Sequence, residues 1–357
     1  MAETIKILTV LGARPQFIKA AAVSRVVKNY PNITEKIFHS GQHYDFNMSE
    51  IFFEQMGIPK PCYQKSISNK SQAGMIAEIV IGLEEILAQE HFDLVMVYGD
   101  TNTTFAGALV GKTSHIPLIH VEAGLRAFDN KMPEEINRVL TDHISDILFC
   151  PTASAKKNLL SEGICKGIHI VGDVMYDATL YYKNSAKKPS NIEPNLLVDF
   201  YLCTFHRQEN TDNEINLRSI ISALCEIANS KHVILPLHPR TRKAIQQAGI
   251  STQGLNIIDP VGYFEMLYLL QHCQGVITDS GGLQKEGYFF QKPIVILRNK
   301  TEWVELVESG AAILAGNNTE AIIESFRQMN RIKTGATELY GNGNASAKIV
   351  EIINKLN

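Results

Sequence analysis

The stretch Pro117-Leu118-Ile119-His120-Val121-Glu122-Ala123-Gly124-Leu125-Arg126, with its continuation Met132-Pro133-Glu134-Glu135-Ile136-Asn137-Arg138, decides how the rest of the chain is read. Pro117 to Val121 is a short apolar run with the character of a buried strand. It ends on a carboxylate with a glycine close behind, where open α/β sheets place their sites. Pro133 suits the first position of a helix and brings two glutamates into the first turn. Glu122 and Glu134 are therefore expected to converge on one cleft, with Arg126 and Arg138 orienting an anion. An ordinary helix start would carry the same residues, because the helix dipole favours acids there and Glu134 and Arg138 have the i,i+4 spacing of a surface pair. The other strand ends decide between the two.

A chain of 357 residues, 45% of them hydrophobic, can bury two cores. A net charge of -3 gives no general electrostatic reason to bind nucleic acid or an anionic membrane, so any anion site is local. Met1-Ala2-Glu3-Thr4 runs straight into a strand-like segment without the basic and apolar regions of a secretory signal, and no apolar run is long enough to span a membrane. The six cysteines are scattered and include no C-x-x-C pair. That pattern suits reduced thiols in the cytoplasm, with neither a disulfide framework nor a bound metal.

Ile5 to Leu11, then Gly12-Ala13-Arg14-Pro15, then a helical pattern from Gln16 to Asn29 open a Rossmann-like unit. The G-x-G-x-x-G fingerprint is missing, so no dinucleotide cofactor is expected. Arg14 and Lys19 stand at the helix entrance, where they suit either a diphosphate or a solvated helix start. Helical periodicity recurs from Met48 to Met56 and from Gln72 to Gln89. Leu94 to Tyr98 then delivers Gly99-Asp100, a third carboxylate at the same sheet edge unless Asp100 serves only as a helix cap.

Ile147 to Cys150, a helix from Ala153 to Glu162 and Ile168 to Val171 complete the first alternation. The composition of Tyr181 to Pro194 is linker-like, and the change of domain is expected near Gly172. The second half restarts with Leu197 to Thr204, ending in His206-Arg207, and Val233 to Leu237, ending in His238. Two histidines beside arginines at strand ends favour a site. Val276 to Thr278 delivers Asp279-Ser280-Gly281-Gly282 to a helix start, where unobstructed N–H groups can hold phosphate. Glu286, further along that helix, is placed to accept ribose hydroxyls. Pro293 to Leu297 leads to Arg298, Trp303 reads as a packing anchor, and a last helix, Ser346 to Leu356, is expected to return to the first domain.

In this order the motifs Gly12-Ala13-Arg14-Pro15, Gly41-Gln42-His43, Tyr98-Gly99-Asp100-Thr101, His120 to Arg126, Pro133 to Arg138, His206-Arg207 and Asp279 to Glu286 resemble the bacterial non-hydrolysing UDP-N-acetylglucosamine 2-epimerase family. The resemblance covers nearly the whole chain. It implies an α/β protein of two Rossmann-like domains in the glycosyltransferase-B arrangement, with an interdomain active-site cleft. The first domain is expected over 1–172, joined by helix 345–357, and the second over 173–344.

It further implies a homodimer that needs no cofactor and inverts C2 of a UDP-2-acetamido sugar by eliminating and re-adding UDP. By the family pattern, Asp100, Glu122, Glu134 and His206 match catalytic positions. Arg14 and Lys19 lie near the diphosphate and sugar; Ser280, Gly281, Gly282 and Glu286 match the UDP site; Arg138, His238 and Arg298 are further contacts. Gln42 and His43 match a regulatory loop, but Tyr44-Asp45 follows where regulated members carry a basic residue. Phe128 to Glu135, Asp259 to Tyr263 and Thr301 to Val307 look closer to the branch acting on UDP-2,3-diacetamido-2,3-dideoxy-glucuronate. For its carboxylate the candidate cations are Lys131, Arg126 and Lys300. A hydrolysing 2-epimerase and a UDP-sugar glycosyltransferase of the same fold are the competing expectations.

Overall fold

The computed structural model describes residues 4–41, 53–68, 71–190, 192–332, 334 and 338–356. Gln42, His43 and most of the helix expected from Met48 to Met56 lie outside them, although residues 53–56 are helical. The chain forms two compact units, residues 1–178 with 338–357 and residues 179–337.

The first unit alternates β1 (Ile5–Leu11), α1 (Arg14–Val27), β2 (Ile33–His39), β3 (Tyr63–Gln64), α2 (Gln72–Leu87), β4 (Leu94–Tyr98), α3 (Asn102–Thr113), β5 (Leu118–Val121), α4 (Pro133–Ile144), β6 (Ile147–Cys150), α5 (Ala153–Ser161) and β7 (Ile168–Ile170). Its sheet has the order β3-β2-β1-β4-β5-β6-β7, and every adjacent pair is parallel. The apolar strand runs are continuous because helices cover both faces of a parallel sheet. Leu8, Val10, Val95, Val97 and Leu118 are buried with Ile79 and Leu83 of α2 and Ala106 and Val110 of α3 in one cluster.

Helix α6 (Val174–Tyr182) carries the chain into the second unit. There follow β8 (Phe200–Thr204), α7 (Gln208–Thr211), α8 (Glu214–Ala228), β9 (His232–Pro236), α9 (Pro239–Gln247), β10 (Asn256–Ile258), α10 (Tyr263–His272), β11 (Gly275–Thr278), α11 (Gly281–Phe289), β12 (Ile294–Ile296), α12 (Val304–Glu308), β13 (Ala312–Leu314) and α13 (Thr319–Gln328). This sheet is also wholly parallel, in the order β10-β9-β8-β11-β12-β13. The expected α/β class with two Rossmann-like parallel sheets is thus observed.

The linker-like segment is not loose. Lys187 N donates to the Phe264 carbonyl at 2.9 Å, and Gln271 Nε2 donates to the Lys183 carbonyl at 2.7 Å, which docks the segment on α10. The last helix, α14 (Ala345–Asn354), belongs to the first unit and packs on α1. Its first N–H groups, which no turn of its own can satisfy, are taken by Asp177: Ala345 N at 3.1 Å and Ser346 N at 2.7 Å.

Candidate active site

In a parallel sheet all carboxyl ends share one edge, and ligand crevices form where the strand order reverses. The first sheet reverses between β1 and β4. Arg14 and Lys19 follow β1, Asp100 follows β4, and Glu122 follows β5 in the next position. Lys19 Nζ forms an ion pair with Glu122 Oε2, and both side chains are nearly buried. Glu122 holds a left-handed backbone at φ +73°, a conformation that costs a non-glycine residue about 1 kcal/mol. Gly99, at φ +66°, runs beside this pair, since a Cβ there would stand 3.2 Å from Lys19 Nζ and 3.3 Å from Glu122 Oε2.

Asp100 therefore leaves the same corner as Glu122. Its Oδ2 accepts from Arg138 Nε at 3.0 Å and Nη2 at 2.7 Å. It does not cap α3; Thr101 does, accepting from Thr104 N at 3.3 Å. Asn137 Nδ2 donates to the Asp100 carbonyl at 2.9 Å, so one face of α4 grips both ends of the aspartate. Glu134 lies one turn earlier, half-buried, with no hydrogen bond or ion pair to its side chain among the described residues. The surface pair with Arg138 that its spacing allows does not form, because Arg138 Nη1 turns to Glu135 Oε2 at 2.7 Å. Arg14 is exposed as the first residue of α1.

Helix α4 is amphipathic in an unexpected sense. Glu135, Arg138 and Asp142 are buried while Ile136 and Leu140 are 45% and 42% exposed. The buried carboxylates recruit partners from the loop after β5: Glu135 accepts from Ala127 N at 2.9 Å and Phe128 N at 2.8 Å. Asp142 accepts from Gly124 N at 3.0 Å and Arg126 Nη1 at 2.7 Å. Arg126 was expected to orient an anionic ligand. Instead it is 2% exposed and committed to Asp142 and, through two bonds of 2.7 Å, to Glu162. It is thereby removed as a cation for a sugar carboxylate.

In the second unit the reversal falls between β8 and β11. His206 follows β8 and Ser280 follows β11, with Asp279 between them in space. The Asp279 carboxylate is fully buried and accepts from His206 N, Arg207 N and Asn210 Nδ2 at 3.0 to 3.1 Å. It fixes the His206 loop against the start of α11. His206 and His238 are brought together, with ring centroids 6.4 Å apart. Withdrawal from water pushes the His206 imidazole below its ordinary value; Asp279 pulls it back up, while Arg207 and His238 push it down again. His238 also caps α9, its Nδ1 accepting from Arg240 N at 3.2 Å.

Ser280 is the N-cap residue of α11, but its side chain accepts none of that helix's N–H groups. A Cβ on Gly281 would collide with Glu302 Oε1, whereas one on Gly282 would meet nothing closer than 4.0 Å. The first glycine admits Glu302, and the second keeps the helix entrance open. Arg298 is buried, bonded to Glu302 Oε2 at 2.7 Å and 3.4 Å from Glu209 Oε1. Glu286 is 7% exposed in the same helix as Lys285, whose Nζ stands 4.0 Å from the Trp303 ring centre. Trp303 is itself buried, as a packing anchor would be.

Gln16, His120, Glu135, Asn137, Asp142, Asp279 and Glu302 hold these groups in place; none has a role assigned from the sequence, although His120, Glu135, Asn137 and Asp279 stand within its motifs. The available signal for α4 was its charges at positions 135, 138 and 142, which share one helical face. A cavity of about 550 Å³ bounded by Glu84, Glu90, Asp93 and His115 lies instead at the amino-terminal edge of the first sheet, remote from these groups.

A family model described as UDP-N-acetylglucosamine 2-epimerase matches residues 25–354. The UDP-2,3-diacetamido-2,3-dideoxy-D-glucuronate 2-epimerase of Pseudomonas aeruginosa is 49% identical, the match covering 99% of this chain and 100% of that one. A UDP-N-acetylglucosamine 2-epimerase homolog of Methanococcus maripaludis is also 49% identical, with 99% and 100% covered. The crystal structure of Methanocaldococcus jannaschii UDP-GlcNAc 2-epimerase in complex with UDP-GlcNAc and UDP is similar with a TM-score of 0.91 at 41% identity, covering 98% of this chain and 100% of that one. The chain, an isomerase, belongs to the UDP-N-acetylglucosamine 2-epimerase family.

Proposed function

We propose that the protein inverts C2 of UDP-2,3-diacetamido-2,3-dideoxy-glucuronate, or of UDP-N-acetylglucosamine, by elimination and re-addition of UDP without hydrolysis. A carboxylate takes the C2 proton, the C1–O bond breaks with its electron pair leaving on UDP, and a C1=C2 double bond forms. Return of a proton to the opposite face and re-addition of UDP at C1 give the epimer, with nothing oxidised or reduced. A weakly acidic C2–H needs a positioned base, and the diphosphate needs charge stabilisation as it leaves.

The observation that carries this reading is the corner at Gly99, where Asp100 and Glu122 emerge together, each met by its own cation. Asp100 and Glu122 serve as base and acid, Glu134 supports them, and His206 assists proton movement. Arg14 and Lys19 face the diphosphate and sugar. Ser280, Gly281 and Gly282 hold phosphate oxygens at the α11 dipole, Glu286 binds the ribose and His238 adds a contact, while Arg138 and Arg298, buried against Asp100 and Glu302, serve the substrate through those carboxylates. The glucuronate is the preferred sugar, in line with the Pseudomonas aeruginosa relative. The enzyme acts as a cytoplasmic homodimer supplying a surface-polysaccharide precursor; its six free thiols suit a reducing compartment.

Each UDP-sugar is incubated with enzyme in deuterium oxide. Deuterium at C2 and an intact UDP-linked epimer are expected, with faster turnover on the glucuronate. Free sugar as the product would point to hydrolysis, and no label from either substrate would overturn the reading.

A further inference from the structure

His120 lies at the end of β5, fully buried, with both ring nitrogens engaged. Nδ1 is 2.7 Å from Asp142 Oδ1, and Nε2 is 2.7 Å from the Gly99 carbonyl oxygen. A carbonyl has no proton to give, so Nε2 must donate. Asp142 accepts on its other oxygen from Gly124 N and Arg126 Nη1, as an ionised carboxylate does. Burial alone would raise the Asp142 carboxyl, but His120 and Arg126 outweigh it and hold the group below the usual carboxylate range. Nδ1 therefore donates as well.

Glu162, Arg126, Asp142 and His120 form one chain of polar contacts, buried except at Glu162. Titratable groups near it include His143, 3.3 Å from Glu162 Oε2, Cys150 of β6 and Lys156 of α5. Burial and the Asp142 charge push the Cys150 thiol up to about 12, so it stays neutral.

We propose that His120, clamped between Asp142 and the Gly99 carbonyl through its two ring nitrogens, is a positioning residue that fixes Asp100 and Glu122 against each other. The Gly99 oxygen belongs to the peptide group completed by Asp100 N, so the His120 bond sets the plane from which Asp100 projects. Gly99 N in turn donates to the Val121 carbonyl at 3.0 Å. The Asp142 oxygen that accepts Gly124 N holds the turn just after Glu122, where the backbone is left-handed at both 122 and 124. One carboxylate thus ties both loops, and neither it nor His120 reaches the substrate. This role rests on the epimerase reading; the two ring-nitrogen contacts do not.

Two measurements test it. In protein labelled with nitrogen-15 at histidine, both ring nitrogens of His120 are expected to show hydrogen-bond couplings or shifts of engaged nitrogens; a ring nitrogen without a hydrogen bond overturns the proposal whatever the enzyme does. Asp142→Asn is expected to lose about a hundredfold in kcat, the scale of a misplaced catalytic group. Its KM and its affinity for UDP should stay within about threefold, because nucleotide contacts lie elsewhere. Wild-type kcat in Asp142→Asn, or a loss of UDP binding in step with activity, overturns the positioning role. Wild-type enzyme assayed alongside for C2 deuterium separates failure of the epimerase reading from failure of this one.

Discussion

Asp100 and Glu122 are neighbours in space with different surroundings. Asp100 is partly open to water and braced by a guanidinium fork, whereas Glu122 sits almost sealed beside the Lys19 ammonium. A carboxylate in a fork is held in one orientation, as a proton acceptor must be. Replacement by an amide keeps the shape and removes the charge. Asp100→Asn and Glu122→Gln are each expected to lose more than about a hundredfold in turnover, the usual scale of general acid or base help. Deuterium exchange at C2 measures this directly, and near-wild-type exchange in both variants would remove them from the chemistry.

Among elements, a buried glutamine helps hold the carboxyl edge of the first sheet. Gln16, buried in the first turn of α1, accepts from Gly12 N at 2.8 Å and Ala13 N at 2.9 Å. Its amide donates to the Tyr98 carbonyl and Thr104 Oγ1, both at 2.9 Å. It therefore latches the β1–α1 turn to the β4–α3 turn that carries Asp100. Gln16→Met keeps the volume and strands at least two buried N–H groups. A loss of about 3 kcal/mol in unfolding free energy is expected, at 1–3 kcal/mol per orphaned group, and urea denaturation reads it. A change within about 0.5 kcal/mol would show that the latch does not hold the edge. Helix α4 works in the same way: its inward charges organise the loop after β5 and leave its apolar residues Ile136 and Leu140 exposed.

For the whole molecule, stability should depend on acid through His39. The ring is buried, stacked on Phe17 at 5.1 Å, and accepts from Gly41 N at 3.2 Å through Nδ1. Burial lowers its value from 6.5 to about 4. Because the unfolded chain takes the proton first, stability is full above pH 6.5, falls as pH drops, and is lost once pH passes about 4. The slope from this one group reaches at most about 1.4 kcal/mol per pH unit. Urea titrations of wild type and His39→Gln across that window should diverge, the variant being flatter; parallel curves would exclude His39 as the source. No helix among the described residues is long and apolar enough to cross a membrane.

What the sequence determined by itself was the alternation of apolar runs with helical periods, and hence two parallel sheets. Local pattern suffices there, because each strand and helix is chosen by its own period and turn residues. It also put Asp100, Glu122, His206 and Ser280 at strand ends, since each apolar run stops just before them. Only the tertiary structure decided their partners. Lys19 with Glu122, Arg138 with Asp100 and Asp279 with the His206 loop lie 103, 38 and 73 residues apart along the chain. Arg126, read as a ligand for anions, is drawn inside by Asp142 and Glu162, because a buried carboxylate must be met by donors or a cation and chain spacing does not say which.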